Sequence, residues 1–376
     1  MSWFNKKEIS VYIHVPFCVR KCLYCDFNSF PGKEEYFEAY KNAVVSEINA
    51  FGKADEYIVK TIFLGGGTPS VMPREFTGDI LNSILSKFKV DPNAEISMEV
   101  NPRTVDFDKL KGYREYGVNR LSVGVQSFSE RLLKILGRIH DRRDFFECFE
   151  LIQRAGFKNV NFDLMFALPR QTIDEWEETV KTAVSLSPSH LSVYSLIIEE
   201  GTPFFDMYKK GELMEVSDED DRKMYYMARE ILKENGFYQY EISNFSKNGF
   251  ECRHNIVYWK RKEYIGFGLG ACSFFDNERR RNNVSLLDYI AGDWFGEKED
   301  FTERDAFAEF MFLGLRMTKG VLRKDFYNYF GVNMEAIFGK EIKKLSERGL
   351  LSDDGERISL TKRGIDISNV VFREFL

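Results

Sequence analysis

The chain has 376 residues, 44% of them hydrophobic, with 53 Lys and Arg against 59 Asp and Glu, a formal charge of −6. That length suits one large domain with smaller additions, and the acidic balance argues against a nucleic-acid-binding surface. No run approaches the ~18 uninterrupted apolar residues of a membrane span, and the start, Met1-Ser-Trp-Phe-Asn-Lys-Lys7, lacks the apolar core of a signal peptide, so a cytoplasmic location is expected.

Six β-branched or apolar runs recur along the front half, centred on Val11–Val15, Thr61–Leu64, Glu95–Val100, Arg120–Val125, Asn159–Phe166 and His190–Leu196. Between them Glu34–Phe51, Arg74–Phe88, Phe107–Tyr116, Asp141–Ala155 and Thr172–Leu186 carry apolar residues at helical spacing with Gly or Pro punctuation. Strand then helix, repeated, predicts a parallel sheet with helices outside it. Six units are too few for a closed eight-fold barrel, so the expected fold is α/β, a partial (β/α)6 TIM-like barrel over residues 1–215.

The pattern then changes. Residues 216–300 form a connecting segment: a helix capped by Ser217 with an acidic first turn, a strand at Tyr238–Ile242, and the glycine-rich Tyr264–Ala271 stretch, expected to pack against the barrel. Glu278-Arg-Arg-Arg281 reads as a solvated loop. Residues 301–376 are mostly helical, with a hairpin turning at Asp354-Gly355 and a last helix from Lys362 to about Phe372, a winged-helix-like arrangement read as a cap or interaction module.

Chemistry concentrates on Cys18-Val-Arg-Lys-Cys22-Leu-Tyr-Cys25, directly after the first strand and its stop at Pro16. Three thiols on one loop at a strand's carboxyl end suit a soft metal centre. A four-iron cubane so held keeps one iron open to an exchangeable ligand. The competing structural zinc site wants four ligands, and no second Cys or His pair completes it. Cys148, Cys252 and Cys272 read as small buried hydrophobes. Gly65-Gly66-Gly67-Thr68-Pro69 follows the second strand, where consecutive glycines admit close backbone approach to a ligand. Glu99, Gln126 and Arg138 follow where later apolar runs stop, and Asp163 lies within one. Buried charges of that kind need partners.

The Cys-x3-Cys-x2-Cys spacing resembles the signature of the radical S-adenosylmethionine (SAM) superfamily. The resemblance implies a 4Fe–4S cluster on Cys18, Cys22 and Cys25, with SAM chelating the open iron. It implies further that Tyr12, Gly66, Gly67, Thr68, Glu99, Gln126, Arg138 and Asp163 contact SAM, and that Tyr24 lies beside the cluster.

Tyr12-Ile-His-Val-Pro-Phe-Cys18, Glu99-Val-Asn-Pro-Arg103, Gly124-Val-Gln-Ser-Phe128 and Asp163-Leu-Met-Phe-Ala-Leu-Pro-Arg-Gln-Thr172 narrow the resemblance to the HemN/HemW branch. Its oxygen-independent coproporphyrinogen III oxidases carry a fourth cysteine two residues after the third, where this chain has Phe27. Its heme chaperones lack that cysteine and carry His-Asn-x-x-Tyr-Trp, present here as His254-Asn-Ile-Val-Tyr-Trp259. By that resemblance the expected function is a heme chaperone that binds heme, a 4Fe–4S cluster and SAM and passes heme to an acceptor protein, with His254 a heme contact. Contact with a membrane-borne acceptor is expected only at the periphery. The competing reading is the oxidase or another radical SAM oxidoreductase.

Overall fold

The computed structural model describes residues 6–376, so the first five residues of the start read above lie outside the described part. Strands β1 (Lys7–Val15), β2 (Tyr57–Gly66), β3 (Lys89–Val100), β4 (Arg120–Gln126), β5 (Asn159–Phe166) and β6 (His190–Ser195) pair in parallel in that order. Helices α1 (Phe37–Ala50), α2 (Arg74–Lys87), α3 (Phe107–Glu115), α4 (Glu130–Ile135), α5 (Arg142–Arg154) and α6 (Ile173–Ser185) return the chain between them. The partial barrel is as expected.

Period-two patterning makes these strands. In β1, Ile9, Val11, Ile13 and Val15 are buried towards the helices, while Ser10, Tyr12 and His14 alternate with them towards the barrel interior. Caps start the helices: Asp141 with Asp144, and Thr172 with Glu175, close reciprocal capping boxes. Along α5, Phe145, Cys148, Phe149 and Ile152 form the buried stripe.

Helices α7 (Pro203–Lys209) and α8 (Asp218–Glu234) lead to short antiparallel strands β7 (Tyr238–Gln239) and β8 (Asn244–Ser246), which continue the sheet beyond β6. Ser217 caps α8 as expected, its hydroxyl accepting from the Asp220 N–H. The strand expected through Ile242 ends at Gln239, because residues 240–243 turn back and the Ser243 N–H bonds the Glu241 carboxylate at 2.9 Å. Helix α9 (Arg253–Trp259) carries the His254 motif, and β9 (Tyr264–Phe267) then pairs in parallel with the outer edge of β1. The glycine-rich stretch thus supplies a seventh parallel strand.

Strands β10 (Cys272–Phe275), β11 (Glu278–Asn282) and β12 (Phe295–Glu299) extend that edge to complete a 12-stranded sheet. Two expectations are corrected here. The arginine run is a strand, its charges answered across the ladder by Glu297 and Glu299, and Cys272 is exposed on β10.

After α10 (Leu286–Ile290), the C-terminal part packs α11 (Glu303–Gly314), α12 (Arg323–Phe330) and α13 (Met334–Glu347) with a three-stranded sheet of β13 (Val321–Leu322), β14 (Leu351–Asp353) and β15 (Arg357–Leu360) around its own apolar cluster. The last helix is broken into α14 (Lys362–Asp366) and α15 (Ser368–Arg373) at Ile367, whose φ of −123° and ψ of 38° are not helical. Arg261, 2% exposed, joins this part to the sheet. Its Nε donates to Glu309 at 3.0 Å and its Nη1 to the Tyr329 hydroxyl at 2.9 Å, among the rings of Phe274, Phe301 and Phe330.

Candidate functional site

The carboxyl ends of β1 to β6 surround a cavity of about 410 Å³, within the ~300–1,000 Å³ range of small-molecule sites. Its wall on the β1 side is the cysteine loop. Backbone bonds hold that loop at its base: the Phe30 N–H donates to Pro16 O at 2.7 Å, and Phe17 and Cys18 pair with Phe30 and Pro31 as a two-stranded ribbon. Further along, the Leu23 N–H donates to Leu136 O at 3.1 Å and the Phe204 N–H to Leu23 O at 3.0 Å.

The glycine motif is pressed against this loop. The N–H groups of Gly67 and Thr68 donate to Val15 O and Phe17 O, each at 2.8 Å. A Cβ on Gly67 would stand 2.6 Å from Phe17 O and 3.0 Å from Cys18 Sγ, so only glycine fits. The Thr68 hydroxyl reaches Cys18 Sγ at 3.5 Å, and Asn101 donates to Thr68 Oγ1 at 2.9 Å.

Arg138 closes the opposite side. Its Nη1 approaches Cys22 Sγ at 3.6 Å, and its Nη2 donates to Gly124 O at 2.7 Å and to the Asn101 side chain. Its Nε is buried without a partner, a donor aimed at nothing the protein supplies. Gln126 takes a left-handed backbone (φ 64°) at the end of β4, and its Oε1 accepts from Tyr194 at 3.4 Å.

Two carboxyl groups share the interior. Burial, reinforced by the neighbouring Asp163 charge, pushes Glu99 up to about 8, against the opposing effect of the Gly66 N–H donating at 3.1 Å. Asp163 is also raised by burial, opposed by hydrogen bonds from Ser122, Asn161 and Ser192. Burial likewise raises the thiols of Cys18 and Cys25 and the phenol of Tyr24. Between about pH 5 and 8 the unfolded chain has Glu99 ionised while the folded protein keeps its proton, so the folded state binds more protons and stability falls as pH rises. Glu47, buried beneath Gly268 and pushed up to about 7, titrates in the same range. The readout is therefore a difference: thermal melts of Glu99→Gln, without cluster, are expected to fall less steeply over that range than wild type. Parallel curves would assign the slope elsewhere.

The cavity brings together every predicted site residue except Tyr12 and His254. Tyr12 lies beside it, its hydroxyl bonded to His14 Nδ1 at 3.0 Å and its ring over Phe63. His254 is 1% exposed inside the barrel. Its Nδ1 meets Thr61 Oγ1 at 2.7 Å, its Nε2 meets the Tyr258 hydroxyl at 2.9 Å, and burial pushes it down to about 3, so the ring is neutral. Sequence reasoning passed over Asn101, Ser122 and Tyr194, which also line the cavity. Asn101 stands in the quoted Glu99–Arg103 motif and Tyr194 at a strand end, so strand-end position was the available signal.

The residues fit an iron–sulfur cluster and an amino-acid-bearing ligand. Among the described residues no three His, Cys, Asp or Glu side chains converge to hold one ion. A cubane asks for something different, since each thiolate takes its own iron. The unpartnered Arg138 Nε suits a ligand carboxylate, and the Glu99–Asp163 pair suits hydroxyl and ammonium donors.

Residues 12–183 match the radical SAM superfamily, and residues 301–367 match the HemN C-terminal domain. The fold superposes on the coproporphyrinogen III oxidase HemN from Escherichia coli with a TM-score of 0.85, covering 99% of this chain and 91% of that one at 22% identity, a likeness of fold alone. Fold and site thus define a radical SAM-type protein. Over 374 residues the chain is 39% identical to the heme chaperone HemW of Bacillus subtilis (strain 168), covering 98% of this chain and 99% of that protein. The heme chaperone HemW of Escherichia coli (strain K12) is 34% identical over 380 residues, covering 98% of each. The chain belongs to the HemW family.

Proposed function

We propose that the protein is a cytoplasmic heme chaperone that binds heme, a 4Fe–4S cluster and SAM, and passes heme to an acceptor protein. The observation that carries this reading is the cavity uniting three thiols, the glycine motif and two buried carboxyls in a chain whose full-length relatives are named heme chaperones. Phe27, 59% exposed at the cavity mouth, stands where the resemblance gives the oxidases their fourth cysteine.

Cys18, Cys22 and Cys25 would each hold an iron. The chemistry such a cluster would supply, when reduced, is an electron for the sulfonium of bound SAM, and it would belong to the cofactors. The protein's own part is to bind and orient: Arg138 Nε for the ligand carboxylate, Asp163 and Gln126 for hydroxyl groups, and the Gly66–Thr68 backbone for the amino group. Tyr24, packed against Phe204, shields the loop from water. Heme can reach His254 only if the ring leaves Thr61 or Tyr258.

One preparation tests the reading. Anaerobically reconstituted protein is expected to bind heme on titration, with a shifted Soret band, and to leave coproporphyrinogen III unconverted in the presence of SAM and reductant. Turnover to protoporphyrinogen, or no heme binding, sinks it. In the same titration, His254→Ala with unchanged heme affinity and spectrum would remove that ring as an iron ligand.

A further inference from the structure

Below the cavity a line of polar side chains runs down the barrel interior. Asp163 accepts from the Ser122 hydroxyl at 3.0 Å and from Asn161 Nδ2 at 2.8 Å. Asn161 Oδ1 faces His190 Nδ1 at 2.6 Å, and His190 Nε2 faces the Tyr240 hydroxyl at 2.8 Å. The Tyr240 oxygen accepts the backbone N–H of Cys252 at 3.2 Å. Asn161 and His190 are buried, at 1% and 0% exposure.

The direction of these bonds follows from the groups. An amide oxygen only accepts, so His190 Nδ1 carries the proton. Burial, with Arg120 close by, keeps the ring neutral, which leaves Nε2 as an acceptor for the Tyr240 hydroxyl. Every donor from Cys252 onward therefore points towards Asp163, and bonds aligned in a chain polarise one another. The lower end is fastened: the Glu95 carboxylate accepts the N–H groups of Arg253 at 3.0 Å and His254 at 3.1 Å, where α9 begins.

We propose that His190 and Tyr240 are positioning residues for Asp163, tying its carboxylate through Asn161 to the start of α9, so that the affinity of the cavity for SAM depends on residues 252–254 at the amino-terminal end of the barrel. This rests on the reading that SAM occupies the cavity. Tyr240 acts by reinforcing the His190 tautomer. Without its hydroxyl, Nε2 loses its donor, Asn161 Oδ1 alone still favours the proton on Nδ1, and the bond that orients Asp163 weakens. The other groups facing Asp163 are Glu99 on β3, Arg120 on β4 and Tyr194 with Ser192 on β6, and none of them touches Tyr240 through a hydrogen bond.

Tyr240→Phe removes one oxygen and keeps the ring. Tyr225→Phe is the control: that phenol is also largely buried and donates to Ile242 O at 3.0 Å, outside the line. Two measurements are made on each. Carboxyl carbon-13 NMR of cluster-free protein is expected to show Asp163 titrating at higher pH in Tyr240→Phe and unmoved in Tyr225→Phe. SAM titration of reconstituted protein is expected to show binding weaker by about 3- to 10-fold in Tyr240→Phe, the worth of one buried hydrogen bond between neutral groups, and unchanged in the control. An Asp163 titration that Tyr240→Phe leaves in place overturns the inference, as does a shift of equal size in the control or an unchanged SAM affinity. If wild type binds no SAM, the proposed function fails, and the NMR arm still decides the positioning role.

Discussion

Cys22→Ser protein, reconstituted anaerobically, is expected to lose the visible absorption of an iron–sulfur cluster and its SAM binding together. Serine keeps the shape of the side chain and removes the soft, ionisable sulfur that an iron requires. The neighbouring guanidinium of Arg138 lies with Nη1 3.6 Å from Cys22 Sγ, beside the sulfur that the substitution removes. The loop itself should stand, because backbone bonds at Pro16, Leu23 and Cys25 hold it and none uses the sulfur. Circular dichroism and melting of the cluster-free variant are therefore expected to match cluster-free wild type within about 1 kcal/mol. Full cluster absorption in the variant would rule Cys22 out as an iron ligand.

The second large effect lies far from the cavity. Arg261→Ala is expected to lower stability by about 3 kcal/mol, the range for breaking a buried ion pair and emptying its site. The guanidinium carbon stands 4.4 Å from the Phe274 ring centroid and 5.3 Å from that of Tyr329, so it bonds the sheet and the C-terminal helices at once. Glu309 retains Arg279, at 2.5 Å, which limits the loss to one of its two partners. Arg280, on the neighbouring position of β11 and paired with Glu278 near solvent, serves as control, and Arg280→Ala is expected within about 0.5 kcal/mol of wild type. Urea unfolding of both variants decides it. A loss below about 1 kcal/mol for Arg261→Ala would mean the rings repack without the cation.

The strands and helices of the front half were legible because parallel sheets bury both faces and so carry near-continuous β-branched runs. The candidate site followed from the same regularity, since ligands in such folds gather at the carboxyl ends of strands. Strand β9 had no such signal. Tyr264-Ile-Gly-Phe267 is four residues with a glycine inside, and it pairs with β1 because of what surrounds it: a Cβ on Gly266 would stand 2.2 Å from Cys272 O. The arginine run on β11 read as a loop because its partners, Glu297 and Glu299, lie on a strand contributed later in the chain. Tyr238–Ile242 alternates like a strand, yet burial of Glu241 beside Arg316 turns the backbone out of the ladder. The depth of His254 was invisible for another reason. Helix α9 spans seven residues, too few for a periodicity to tell a buried ring from a presented one.

Between β8 and β9 the chain leaves one rim of the parallel barrel, beside β6, and reaches the other, beside β1. An incomplete barrel has no closed ring of hydrogen bonds to fix its girth, so a segment that spans the two rims adds a constraint to those of strand twist and helix packing. Residues 247–263, with α9 anchored on Glu95 and Thr61, are that span. The tie is therefore one constraint among these on the gape of the barrel, and so bears on the width of the cavity at the opposite end. Adding or removing a residue there should alter what the cavity admits while leaving every cavity-lining side chain unchanged.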